Sequence, residues 1–178
     1  MATEGGLGAE LGRYETDNLR RRRIAFVAVP LGAVVACAGV VMVLVVGDTD
    51  AVGAMVFPAL VGGLGLGAFV VGLWQAVLSV TRTDEAFILY EGGLVHSYAG
   101  RSCALSWSDI ADVKDAGRDT AVHRALGGDI AYSVTLHSPV NGRRNVTITG
   151  FTDDAVRLAE TVRQAALHGI RPKQSGPR

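Results

Sequence analysis

The groups that could do chemistry in this 178-residue chain are dispersed through its second half. The four histidines are His96, His123, His137 and His168. None has the paired spacing of a metalloprotease helix or a zinc site. Ser97, Ser108 and Asp109 contain the groups of a hydrolase triad if a histidine joins them, but no nucleophile-elbow or oxyanion-loop pattern accompanies them. We therefore expect no enzyme activity, no catalytic residue, no cofactor and no metal site.

The two cysteines lie in different environments. Cys37 is inside an apolar run and Cys103 is in the polar half, so we expect two free thiols in a reducing compartment. Val34–Cys37 matches a lipoprotein cleavage pattern, but the apolar run continues through Val46, where a lipoprotein would have a polar tether. We do not expect lipidation.

Two long runs without charge dominate the first half of the chain. Residues 24–46 and 54–80 are each long enough, as helices, to cross a hydrocarbon core of about 30 Å. The sequence therefore predicts a transmembrane hairpin with a short external loop at residues 47–53. The arginines Arg20, Arg21, Arg22 and Arg23 abut the first span, whereas the loop is acidic.

This charge asymmetry predicts a multi-pass plasma-membrane protein with both termini in the cytoplasm. Residues 1–23 form a basic cytoplasmic segment in this interpretation, and the four arginines are candidates for contact with lipid headgroups. The last 97 residues carry 12 basic and 11 acidic side chains, a balance that does not favour nucleic acid as a partner.

Glycines in the second span loosely match a dinucleotide-binding pattern, but that pattern needs a preceding strand and an exposed helix end. Inside a span, the spacing of Gly63 and Gly67 predicts close helix packing instead. We expect these glycines to face Gly32 and Ala36 of the first helix.

Residues 84–169 alternate between short apolar and polar runs, which predicts antiparallel strands. Six strands are recognisable, and a seventh is expected within 81–85 or 113–125. Thr152 is expected to cap a final helix, with Phe151 and Val156 as its hydrophobic staple and Gly169 at its end. We expect this region to fold without the spans, with Trp107 in its core, and residues 170–178 to be a disordered tail.

The motifs LYEGGLVH (89–96) and LSWSDIADV (105–113), followed by the final helix, resemble bacterial pleckstrin-homology-like domains. The resemblance is to small actinobacterial membrane proteins of unknown function that carry two N-terminal transmembrane helices. It implies an α+β membrane protein in which a strongly bent antiparallel barrel or sandwich is capped by the C-terminal helix.

Two functions remain open. The first is a non-catalytic interaction module that presents its β domain to a protein or peptide partner at the membrane. The second is an oligomeric structural or transport-associated subunit, in which the β domain serves assembly or lipid sensing. The bilayer and a protein partner, or a second copy, are the expected partners, and no small-molecule substrate is indicated.

Overall fold

The computed structural model describes residues 6–46, 52–120, 123–124, 127–140 and 142–172. Its elements in chain order are β1 (Glu10–Glu15), α1 (Asn18–Val46), a 3-10 turn (Val52–Met55), α2 (Val56–Thr81), β2 (Ala86–Tyr90), β3 (Gly93–Tyr98), β4 (Arg101–Ser106), a 3-10 turn (Trp107–Asp109), β5 (Ile110–Asp115), β6 (Ala131–Val140), β7 (Arg143–Thr149) and α3 (Ala155–His168). The protein is therefore α+β. The chain divides into a helical unit, residues 19–81, and a β unit formed by the segments on both sides of it.

The two helices of the helical unit are long and apolar enough to cross a membrane. They run antiparallel and approach each other through glycines of both helices. A Cβ on Gly32 would lie 2.8 Å from the carbonyl oxygen of Gly65, and a Cβ on Gly39 would meet the backbone of Gly62. A Cβ on Gly65 would in turn meet the backbone of Ala36. Small residues allow this close backbone contact.

The prediction for this helix contact was right for one helix and wrong for the other. Gly32 and Ala36 lie in the contact, but a Cβ added at Gly63 or Gly67 would meet nothing within 4 Å. The second helix instead uses Gly62, Gly65 and Gly72. These residues recur at intervals of three and seven, which follow one side of a helix of 3.6 residues per turn.

The β unit consists of two antiparallel sheets. One has the strand order β1-β2-β3-β4 and the other β5-β6-β7. Both sheets and α3 contribute to one hydrophobic core. Leu94, Leu105, Val134 and Ile148 of the strands and Leu158 of α3 are completely buried in this core. In β7 the buried positions, Val146 and Ile148, alternate with exposed ones.

The seventh strand is β1, and it lies before the helices rather than in either predicted region. Residues 10–15 were interpreted as part of a basic segment, but they pair with β2 from Glu10↔Tyr90 to Glu15↔Ala86. Leu11 joins the core. The helical hairpin is thus inserted between two neighbouring strands. The β unit therefore includes β1, which the predicted domain, residues 84–169, leaves out.

The predicted helix end at Gly169 is confirmed, whereas the predicted start of the final helix is not. The chain turns at Glu91-Gly92 between β2 and β3, and α3 ends at Gly169 as predicted, where φ is +66°. Thr152 is not the cap, because α3 begins at Ala155 and the Thr152 hydroxyl lies 3.3 Å from that of Thr16. Val156, predicted as a staple, is exposed.

The pair Asn141-Gly142, a typical hairpin-turn sequence, lies partly outside the described residues, as does the predicted tail at 170–178. Gly142 itself has a φ of +76°, which glycine adopts without strain. Trp107 was predicted in the core but is only half-buried in the 3-10 turn before β5. Its indole N–H donates to the carbonyl of Glu91 at 2.8 Å.

Candidate functional site

A group of polar side chains, two of them buried, lies where β2 begins. Glu85 and His96 are both buried, with side-chain exposures of 2% and 5%, and Glu85 Oε1 lies 3.1 Å from His96 Nε2. The same oxygen lies 3.3 Å from Arg82 Nη1, and Arg82 is one-third exposed. A carboxylate removed from water needs such partners, because its isolated charge is strongly disfavoured there. His96 lies on the buried face of β3.

An aromatic column continues from this pair towards the surface. Phe87 and His96 are opposite each other on β2 and β3, and their rings stack at 4.5 Å between centroids. The ring of Tyr98 follows at 5.0 Å from His96. The guanidinium of Arg143 lies 4.7 Å above the Tyr98 ring, within the range of a cation–π contact. The column fixes the position of an exposed arginine.

A cleft of about 560 Å³ opens beside this column. His96, Tyr98 and Cys103 form one side, and Leu136, Val140 and Val146 form an apolar side. Arg101 and Arg143 lie at the cleft, and both are exposed. The cleft therefore combines an apolar wall with cationic groups, which is the usual composition of a ligand pocket.

The charge of the cleft is one-sided. Among its described lining residues none is Asp or Glu, although the chain as a whole has equal numbers of acidic and basic side chains. Among the described ion pairs, none involves Arg101 or Arg143. Two guanidinium groups are thus available to bind an anion, and each presents a planar fork of donors suited to a carboxylate or phosphate.

Two sheet edges border the cleft. In the described part of the chain, β4 pairs only with β3, and β7 pairs only with β6. The first residues of β4, Arg101 to Cys103, line the cleft, as do Arg143 and Val146 of β7. An edge strand has backbone N–H and C=O groups on its outer side that can pair with another chain.

The structure does not bring the other chemical candidates together. Ser108 and Asp109 belong to a turn: the Ser106 hydroxyl lies 2.7 Å from that of Ser108 and donates to Asp109 Oδ2 at 2.8 Å. Ser97 donates to the carbonyl of Ala86 at 3.4 Å. His123 bonds with Thr120, and the part of the chain that the structure describes contains no cluster of three or more His, Cys, Asp or Glu able to hold a metal.

The arginines proposed for headgroup contact divide into two groups. Arg20, Arg22 and Arg23 are exposed, whereas Arg21 is buried, with 2% exposure. A buried guanidinium is not available to a lipid headgroup, so the proposal for this cluster now rests on the three exposed arginines.

Sequence reasoning missed the cleft because its parts come from four strands. Arg101 and Arg143 are 42 positions apart and belong to different sheets, so only the packing of the two sheets on one core places them at one site. The one available signal was local: each arginine immediately follows a turn glycine, Gly100 or Gly142, and therefore begins an edge strand.

No family model matches the chain, and it matches neither a curated protein nor a solved structure.

Proposed function

We propose that this chain is a membrane-anchored, non-catalytic interaction module of the plasma membrane. Its pleckstrin-homology-like β domain lies in the cytoplasm and binds a protein or peptide partner through the basic cleft. The observation that carries this proposal is the cleft itself. It brings together an apolar wall, two arginines that are in none of the described ion pairs, and two strands that are edges in the described part of the chain.

The surface of the hairpin supports membrane anchoring. Only 11% of the most apolar window of either helix is buried, and large side chains such as Phe26, Leu64 and Val80 are more than two-thirds exposed. The core helix of a water-soluble protein would bury this apolar stripe. Exposure on all sides is the pattern of helices surrounded by lipid.

The path of the chain supports placing both flanks on one side of the membrane. β1 precedes the hairpin, β2 follows it, and the two strands pair directly. A hairpin that crosses the membrane twice returns the chain to its starting side, as this pairing requires. The arginines before α1 then favour the cytoplasm as that side.

The strand arrangement supports the pleckstrin-homology-like interpretation. With β1 included, the β unit has four strands in one sheet, three in the other, and a final helix packed on the same core. The family resemblance implies seven strands and one final helix, but it places the whole domain after two transmembrane helices, whereas β1 precedes them here.

Photo-crosslinking tests the proposed function. A photoreactive amino acid replaces Ser102 in the cleft of the full-length protein, and Thr147, which is exposed on β7, serves as the control position. We expect discrete protein adducts in native membranes from position 102 and none from position 147. Absence of adducts from position 102, or the same adducts from both positions, would contradict a binding role for the cleft.

The alternative of an oligomeric membrane subunit is favoured by one observation. Gly63 and Gly67 of α2 are exposed and take no part in the contact with α1. A second hairpin could approach closely there. Cysteine crosslinking between copies at position 63 distinguishes this function from a monomeric module.

A further inference from the structure

We infer that the cleft is an anion-recognition site for an extended acidic peptide of a partner protein, with Arg101 and Arg143 as its specificity-determining residues. This inference rests on the proposed function and adds the chemistry of the ligand. The argument has three parts: the charge of the cleft, the fixed position of one arginine, and the strands at its border.

The charge of the cleft selects an anion. Arg101 and Arg143 line it, no described lining residue is acidic, and neither arginine is in a described ion pair. The buried carboxylate of Glu85 does not supply the missing negative charge, because His96 and Arg82 already contact it. A ligand carboxylate can therefore form charge-assisted hydrogen bonds without displacing an internal acidic partner.

The position of Arg143 suits recognition rather than general attraction. Its guanidinium is held above Tyr98, and Tyr98 in turn contacts the buried His96 ring. A guanidinium stacked on an aromatic ring keeps its edge N–H groups available for a bidentate acceptor. Arg144, the next residue on β7, is also exposed but is not part of the cleft lining. The two neighbours thus share their chemistry and differ in position.

The bordering strands favour a peptide over a compact anion. The outer backbone groups of β4 and β7 can pair with an extended chain, which is a common mode of peptide recognition. Residues 101–103 of β4 would accommodate about three residues of that chain, roughly 10 Å at 3.3 Å per residue. Leu136, Val140 and Val146 provide an apolar surface for side chains that alternate with the acidic ones.

A binding assay with the full-length protein in a neutral detergent tests this inference. The probes are a fluorescently labelled peptide of alternating Glu and Val, the same peptide with Gln for Glu, and the same peptide with Lys for Glu. We expect the Glu peptide to bind most tightly. Arg143→Ala should weaken it about thirtyfold, the effect of losing one charged hydrogen bond. Arg144→Ala should change the affinity less than twofold.

A charge-reversal variant provides the most specific test. The double variant Arg101→Glu/Arg143→Glu should no longer bind the Glu peptide and should bind the Lys peptide instead. Equal binding of the Glu and Gln peptides, or equal effects of Arg143→Ala and Arg144→Ala, would overturn the inference. The inference would also be overturned if vesicles of anionic phospholipid, or inorganic phosphate, displaced the labelled peptide as well as unlabelled peptide does. If position 102 still gives crosslinked adducts but the peptides do not bind as expected, the inferred ligand chemistry is wrong, whereas the proposed function as a binding module stands.

Discussion

The buried pair of Glu85 and His96 gives the most quantitative prediction about the β domain. Both side chains are at least 95% buried, and Glu85 retains Arg82 as a second partner at 3.3 Å. His96→Leu removes one charged hydrogen bond, about 2 kcal/mol, and the stacking with Phe87, about 1 kcal/mol. We therefore expect His96→Leu to lower the free energy of unfolding by about 3 kcal/mol.

Replacing Glu85 should cost less, because its removal leaves no buried charge. A neutral histidine tolerates burial, and Arg82 can turn its one-third exposed side chain to water. We expect about 1 kcal/mol for Glu85→Leu. The double variant should lose about 2 kcal/mol rather than the sum of about 4, because two apolar side chains can replace a buried polar pair at little cost. The coupling energy is then about 2 kcal/mol.

Urea unfolding in mild detergent measures this cycle. Trp107 is half-buried in the β unit, so its fluorescence reports unfolding of that unit once Trp74 of α2 is replaced by Phe. The four variants are compared in this Trp74→Phe background. Additivity within about 0.5 kcal/mol would show that the two side chains do not interact and would refute the reasoning.

Two further predictions concern the helices and the inserted strand. Gly65→Ala should disrupt the hairpin because the new methyl group meets the backbone of Ala36. In Gly67→Ala the methyl group points into open space, so the Tm of the detergent-solubilised protein should change by no more than about 2 °C. An equal decrease in Tm for the two variants would contradict the helix contact. Residues 6–16 joined by an Asn-Gly turn to residues 85–172 should fold as a water-soluble domain, because Glu15 and Ala86 are strand partners. Residues 84–172 alone should be markedly less stable by circular dichroism, and equal stability would mean that β1 is dispensable.

The sequence predicted the elements that local patterns determine. Charge-free runs of more than 20 residues indicated both helices, and alternation with turn glycines indicated β2 to β7 and the end of α3. The corrections concern relations between distant residues. The apolar residues of β1, Leu11 and Tyr14, are three positions apart and do not follow the two-residue period of a strand. In addition, 70 residues separate the end of β1 from the beginning of β2. No local sequence signal indicates that β1 and β2 pair.

The candidate site was hidden for the same reason. Glu85 and His96 meet because residues 86 and 97 are opposite each other on β2 and β3. This register depends on where both strands begin and end, which the turn at residues 91–92 alone does not determine. The choice between Gly63/Gly67 and Gly62/Gly65 likewise depends on which side of α2 meets α1, and both sides are rich in glycine. Spacing alone does not decide between them.

The central claim is that one cytoplasmic β domain is assembled from both flanks of a membrane-crossing hairpin. Cysteine accessibility in intact cells tests it directly. Single cysteines replace Thr49, between the two helices, and Ser138, exposed on β6, in a Cys37→Ser/Cys103→Ser background. A membrane-impermeant maleimide should label position 49 in intact cells and position 138 only after permeabilisation. Labelling of position 138 in intact cells, or of neither position before permeabilisation, would contradict the account.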